Sequence, residues 1–205
     1  GYISAFNDAI SQSRIASLAS LGGIAVTYIE WAGSTQQSQL VSWTQLTSAA
    51  SSSAFASAIS ATPRAFSGST APGAAINYAT PLFSNNGFEG SRWVIDVSGD
   101  GMGESTTSTR RDAFLAAATT AGAVGTINGL AIGSPSIETW YTNNIIGGSN
   151  PFVILAATFE DFDRAIRDKL GREIPTSQVP EPASLALLGL GLAGLGALRR
   201  RARNA

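Results

Sequence analysis

Oxygen-bearing side chains beside glycines carry whatever chemistry this chain offers, and two short segments concentrate them. One is Gly68-Ser69-Thr70, just ahead of Pro72; the other is Asp96-Val97-Ser98-Gly99-Asp100-Gly101, at the end of an apolar run. A threonine hydroxyl and an aspartate carboxylate converging on one point suit a hard divalent cation, Mg2+ or Ca2+, held directly or through water. The oxygen donors concerned are Ser69 and Thr70 on the first segment and Asp96, Ser98 and Asp100 on the second. Asp96, Ser98, Asp100 and Gly101 also match the opening of a calcium loop, although Thr107 occupies the twelfth position, where a bidentate Glu belongs. The chain has no Cys and no His. This excludes disulfides, thiolate nucleophiles, the usual Cys/His zinc sites and any Ser-His or Cys-His catalytic pair, so a bound metal must be held by oxygen. A hydrolase working through Asp96 and Asp100 stays an alternative, because a carboxylate tuned upward can move protons near neutral pH. Glu30 is expected to bond local backbone, Glu104 to be a solvated loop residue and Trp43 to belong to the core.

The elements that must position these residues follow from periodicity. Tyr2 to Leu18 reads as one amphipathic helix with Ile3, Phe6 and Ile10 on its buried face, ended by Gly22-Gly23. Ile24 to Trp31 is nearly continuous apolar, β-branched or aromatic, as in a strand covered on both faces. Gln39 to Trp43 alternates more and suggests a sheet edge. Ser48 to Ala61 is helical until Pro63 stops it, and Pro72 opens the next helix toward Leu82. Trp93 to Val97, Ile127 to Ile132 and Phe152 to Ala157 are further strands. Helices are expected at Arg110 to Thr120, capped near Gly122, and at Ile137 to Ile146. Thr158 with Asp161 caps a last helix whose buried face is Phe159, Phe162, Ile166 and Leu170 and whose end is Gly171; Glu173 to Gln178 then reads as linker. Strands alternating with helices imply an α/β fold, a doubly wound and mostly parallel sheet with helices on both faces. The first visible element is a helix, so a strand is expected ahead of Gly1. Ligands of such sheets bind beyond the carboxyl ends of the strands, where the Thr70 and Asp100 segments fall.

This pattern resembles the von Willebrand factor A domain, and more narrowly the bacterial family called domain of unknown function 1194. The resemblance rests on Ile24 to Gly33 (IAVTYIEWAG), Trp43-Thr44, Thr70 and its following helix, Trp93 to Gly101 (WVIDVSGDG), Ile127 to Ile132, Ile145 to Gly148 and Lys169 to Ile174 (KLGREI), and spans residues 1 to about 174. It implies a metal-ion-dependent adhesion site in which Thr70 is the second-loop threonine and Asp100 the third-loop aspartate. The first loop, Asp-x-Ser-x-Ser, would lie ahead of Gly1, and Mg2+ or Ca2+ binding is expected only with that loop.

The C-terminal end is read independently. From Ala183 to Leu198 every residue is Ala, Leu, Gly or a single Ser. As a helix the run spans about 24 Å, and Arg199, Arg200, Arg201 and Arg203 can snorkel to headgroups and hold the terminus in the cytoplasm. Val179-Pro180-Glu181-Pro182, the apolar run and the arginines together resemble the PEP-CTERM sorting signal of Gram-negative bacteria, which implies recognition by an exosortase near Pro180, Glu181 and Pro182. The expected organisation is therefore a domain at 1–174, a linker at 175–182, a transmembrane helix at 183–198 and a basic cytoplasmic tail at 199–205. No N-terminal secretion signal is visible, and a missing beginning is expected.

Charge points the same way. Of 13 basic residues, four belong to the terminal arginine cluster, which leaves the remainder acidic and argues against a nucleic-acid partner. The expected function is a non-enzymatic, exported binding module. It would be held at the inner membrane facing the periplasm, then released to the cell surface or matrix, and would bridge through a metal to a protein or exopolysaccharide partner. The alternatives are the hydrolase above and a structural matrix protein with no ligand.

Overall fold

The computed structural model describes residues 1–174. The expected first helix is two, α1 (Tyr2–Phe6) and α2 (Ala9–Ser17), because Asp8 interrupts it: the Asp8 carboxylate accepts the backbone N–H groups of Ile10 and Ser11 and caps α2. The break changes the helix face. Phe6 is buried, but Ile3 is 38% and Ile10 64% exposed, contrary to the single buried stripe expected.

After a 3-10 turn at Ala19–Leu21, Gly22 takes φ 94°, a left-handed conformation that glycine adopts without a Cβ clash, and the chain enters β1 (Ile24–Trp31). β2 (Gln37–Leu46) returns antiparallel and is longer than the alternating core Gln39 to Trp43 suggested. α3 (Ala49–Ala61) starts with a reciprocal Ser48–Ser51 capping box. α4 (Pro72–Ala79) has Pro72 in its first turn, where a missing N–H does no harm, and runs into a 3-10 turn at Thr80–Phe83. β3 (Arg92–Gly99), α5 (Thr107–Thr120), β4 (Val124–Ile132) and α6 (Pro135–Asn144) follow. Then come β5 (Gly147–Gly148), β6 (Val153–Ala156) and α7 (Phe159–Glu173).

Strands β3, β4 and β6 form the parallel core, in the spatial order β3-β4-β6, with the short β5 antiparallel to β4. The expected single sheet is two: β1 pairs only with β2, and among the described residues no ladder joins β1 to β3. Helices cover both faces as expected. Phe6, Ile15, Phe55, Leu130, Ile166 and Leu170 pack on one side with α1, α2, α3 and α7. Ile76, Ile95, Phe114, Ile127, Tyr141 and Ile145 pack on the other with α4, α5 and α6.

At α7, Thr158 Oγ1 accepts the Asp161 N–H at 3.2 Å, as its spacing predicts. Ile166 and Leu170 are buried and Phe162 partly so, while the Phe159 side chain lies outside the described residues. Gly171 does not end the helix, which continues to Glu173. Its φ is not left-handed, and a Cβ there would meet nothing within 4 Å, so a glycine here neither caps nor bends the helix. No described helix is long and apolar enough to cross a membrane. The expected linker, membrane span and arginine tail, with Pro180, Glu181, Pro182, Arg199, Arg200, Arg201 and Arg203, lie outside the described residues.

Candidate functional site

The carboxyl ends of β1 and β3 meet one loop, and that convergence builds the rim. β1 ends at Trp31 and β3 at Gly99, and the Cβ that Gly99 lacks would fall 3.1 Å from the Trp31 ring and 2.6 Å from the Tyr141 hydroxyl. The chain then turns through Asp100 and Gly101. A Cβ on Gly101 would lie 2.7 Å from Thr70 Oγ1, so glycine here lets the Thr70 side chain lie directly on the backbone beside Asp100. Thr70 is held in place because Ala71 donates its N–H to Ala32 O at 2.9 Å, tying the start of α4 to the end of β1. The two residues singled out from sequence are thus brought to one edge of the fold, Asp100 exposed and Thr70 half-buried.

Tyr141 was not foreseen. Its ring is fully buried against Gly99 of β3 and Gly129 of β4, and its hydroxyl has no hydrogen-bond partner among the described residues. Burial pushes the phenol well above its ordinary value, and the charges of Asp100 and Asp96 push it further the same way, so it stays protonated. Beside Gly99, this buried O–H is left without an acceptor, at a cost in desolvation. In the sequence it is one aromatic in a helix, with nothing to separate it from core.

Asp96 and Ser98 do not join Thr70 and Asp100. They lie inside β3 on the face toward α1 and α7, because side chains alternate along a strand and only odd positions face α4. Ser98 Oγ bonds the Tyr2 hydroxyl at 2.7 Å. The Asp96 carboxylate is ion-paired with the Lys169 ammonium, which also reaches Glu173 at 3.1 Å. A calcium loop opening at Asp96 is incompatible with a strand that runs unbroken to Gly99.

Glu30 accepts the backbone N–H groups of Ala65 and Phe66, at 3.0 and 2.9 Å; its partners are backbone, as expected, but distant in the chain rather than local. Trp43 packs on Phe83 at 5.3 Å and donates its indole N–H to Leu82 O. Glu104, expected to be solvated, instead accepts the Ala74 N–H at 2.9 Å in the first turn of α4 and pairs with Arg110 at 3.2 Å. Glu104→Ala should therefore loosen the segment carrying Thr70 and lower stability by about 1–2 kcal/mol in urea unfolding; no change in midpoint would remove this role.

The donor set can be tested against a cation. Thr70 and Asp100 offer two oxygen types, and no cluster of three or more carboxylates occurs among the described residues. Ca2+ takes six to eight oxygens, whereas Mg2+ keeps several waters and accepts one or two carboxylates. By donor type the pair falls short of a calcium cage, and a largely hydrated Mg2+ is the cation such a set would suit.

An α/β protein with helices on both sheet faces and a polar rim beyond its strand ends is the class these features define. The chain belongs to the family described as protein of unknown function (DUF1194), which matches residues 1–178, and residues 178–201 match the PEP-CTERM protein-sorting motif. The motif marks an exported, envelope-associated protein processed by an exosortase. No curated protein matches the chain.

Proposed function

We propose that this protein is a von Willebrand A-like, non-enzymatic binding module of the cell envelope, which captures a protein or matrix partner at the rim formed by Thr70 and Asp100. The observation that carries this reading is the Thr70 side chain seated on Gly101, beside Asp100, at the carboxyl ends of β1 and β3. In this reading Thr70 and Asp100 hold a hydrated Mg2+, whose remaining positions accept a carboxylate of the partner. The ion supplies only charge and a fixed geometry.

The hydrolase alternative needs Asp96 and Asp100 around one ion. Asp96 is instead paired with Lys169 beneath α7, which leaves that mechanism without its second carboxylate. Mg2+ titrated into the exported protein should release or absorb heat and raise the melting temperature. Asp100→Ala should weaken the response at least about tenfold, the scale of one lost charge-assisted ligand, with the unfolding midpoint in metal-free buffer unchanged. An identical Mg2+ response from wild type and variant would sink the metal half of the proposal.

A further inference from the structure

An asparagine followed by glycine can cyclise onto its own backbone, because glycine has no Cβ to shield the attacking nitrogen. The chain has two such pairs, Asn86-Gly87 and Asn128-Gly129. The fold treats them in opposite ways.

Asn128 is fully buried in β4. Its Nδ2 donates to Glu173 Oε1 at 2.8 Å, and its Oδ1 accepts the Phe152 N–H at 3.2 Å. The Gly129 N–H is engaged as well, donating to Phe152 O at 2.9 Å. With the strand extended and both groups held apart, cyclisation there must wait for β4 to open.

Asn86 lies in the loop between the 3-10 turn at Thr80–Phe83 and β3. Gly87 is exposed, takes φ 83°, and has nothing within 4 Å of where a Cβ would stand. Its N–H finds no backbone acceptor among the described residues. The Phe88 N–H donates to Asn86 Oδ1 at 2.8 Å and closes a turn that contains the Gly87 nitrogen. That bond curls the side-chain amide back over the peptide carrying the nucleophile. It also sets a donor where negative charge builds when the amide carbon is attacked.

We propose that Asn86 is a site of spontaneous deamidation in the folded protein and that Asn128 is not. The Gly87 nitrogen gives its proton to hydroxide and bonds to Asn86 Cγ. The Cγ–Nδ2 bond breaks, and the nitrogen leaves as ammonia with a proton taken from water. The succinimide ring so formed adds one water and opens to aspartate or isoaspartate, with no change of oxidation state. A neutral amide becomes a carboxylate, and this matters to the loop. Leu82 O accepts both Asn86 Nδ2, at 3.1 Å, and the Trp43 indole N–H, at 2.9 Å. After the reaction a carboxylate replaces one of these two donors, so the clip that ties the loop to the 3-10 turn gives way to repulsion.

Peptide mapping by mass spectrometry tests this on the exported protein, incubated at pH 8 both folded and in urea and sampled over several weeks. In the folded protein Asn86 should gain the mass of amide-to-acid conversion at least about 100-fold faster than Asn128, since the latter waits on the opening of a core strand. In urea the two sites should convert at similar rates. Asn86→Gln, which must close a larger ring, should lose the fast conversion. The converted fraction, separated by anion exchange on its added negative charge, should unfold at lower urea than its parent. Asn86 that stays intact in the folded protein while converting in urea would overturn the proposal, because the loop's bonds would then shield the amide. Equal rates at the two sites in the folded protein would overturn the selection by the fold, and an unchanged urea midpoint would overturn the clip.

Discussion

Lys169→Met should destabilise the domain by about 3–5 kcal/mol, a large share of the 5–15 kcal/mol that holds a typical domain together. Lys169 lies on α7 with its side chain fully buried, its ammonium pairing with Asp96 and Glu173 and sitting 5.8 Å from the Phe152 ring. Methionine keeps most of the apolar stem, so the loss reports charge rather than a cavity. What remains is two carboxylates in a low-dielectric pocket. Among the described residues Asp96 then has no counter-charge and no hydrogen-bond donor, and Glu173 keeps only the Asn128 amide, at 2.8 Å. Urea unfolding at pH 8 measures the loss, and adding Asp96→Asn to Lys169→Met should restore part of it, because the orphaned charge goes with the residue. A loss under about 1 kcal/mol at pH 8 would mean the pocket is wetter than its burial indicates.

This cluster shows where the sequence was legible and where it was not. Element order could be read because β1, β3 and β4 carry apolar runs and Pro72, Gly122 and Thr158 punctuate the helices. The rim was readable too, since Thr70 falls just ahead of α4 and Asp100 just past β3, each close to a glycine. The buried cluster left fainter traces: Asp96 in WVIDV and Asn128 in INGLAI are polar residues amid buried runs, and Lys169 and Glu173 stand four apart on one helix. Only the parallel register, which sets Asp96 opposite Asn128, brings all four to one point under α7. Taking Gly171 as a helix end placed Glu173 in a linker, so the residue that closes the cluster was missed. The split of the sheet was equally hidden, because strand pairing is a long-range property that periodicity does not encode.

Glu173→Gln should make the protein more stable at pH 8 and leave it unchanged at pH 4. The pocket holds two carboxylates and one ammonium, so full ionisation leaves an uncompensated negative charge. Burial pushes the Glu173 carboxyl up to about 7, the nearby Asp96 charge pushes it the same way, and Lys169 and Asn128 oppose them only in part. Arg92 reaches the backbone carbonyl of Glu173, not its carboxylate. Since the folded value lies above the ordinary 4.5, the folded protein binds this proton more tightly than the unfolded chain. Its contribution is therefore complete below about pH 4.5, fades as pH rises through about 7, and is gone above that. At 1.36 kcal/mol per pH unit the whole window is worth on the order of 3 kcal/mol. Glutamine fixes the neutral state: its carbonyl still accepts from Lys169, and Lys169 and Asp96 remain balanced one to one. Urea midpoints measured from pH 4 to pH 8 should fall for the wild type between about 4.5 and 7 and stay nearly level for the variant. Parallel curves for the two proteins would show that Glu173 ionises freely in the fold, and that the ammonium of Lys169 is shared evenly between both acids.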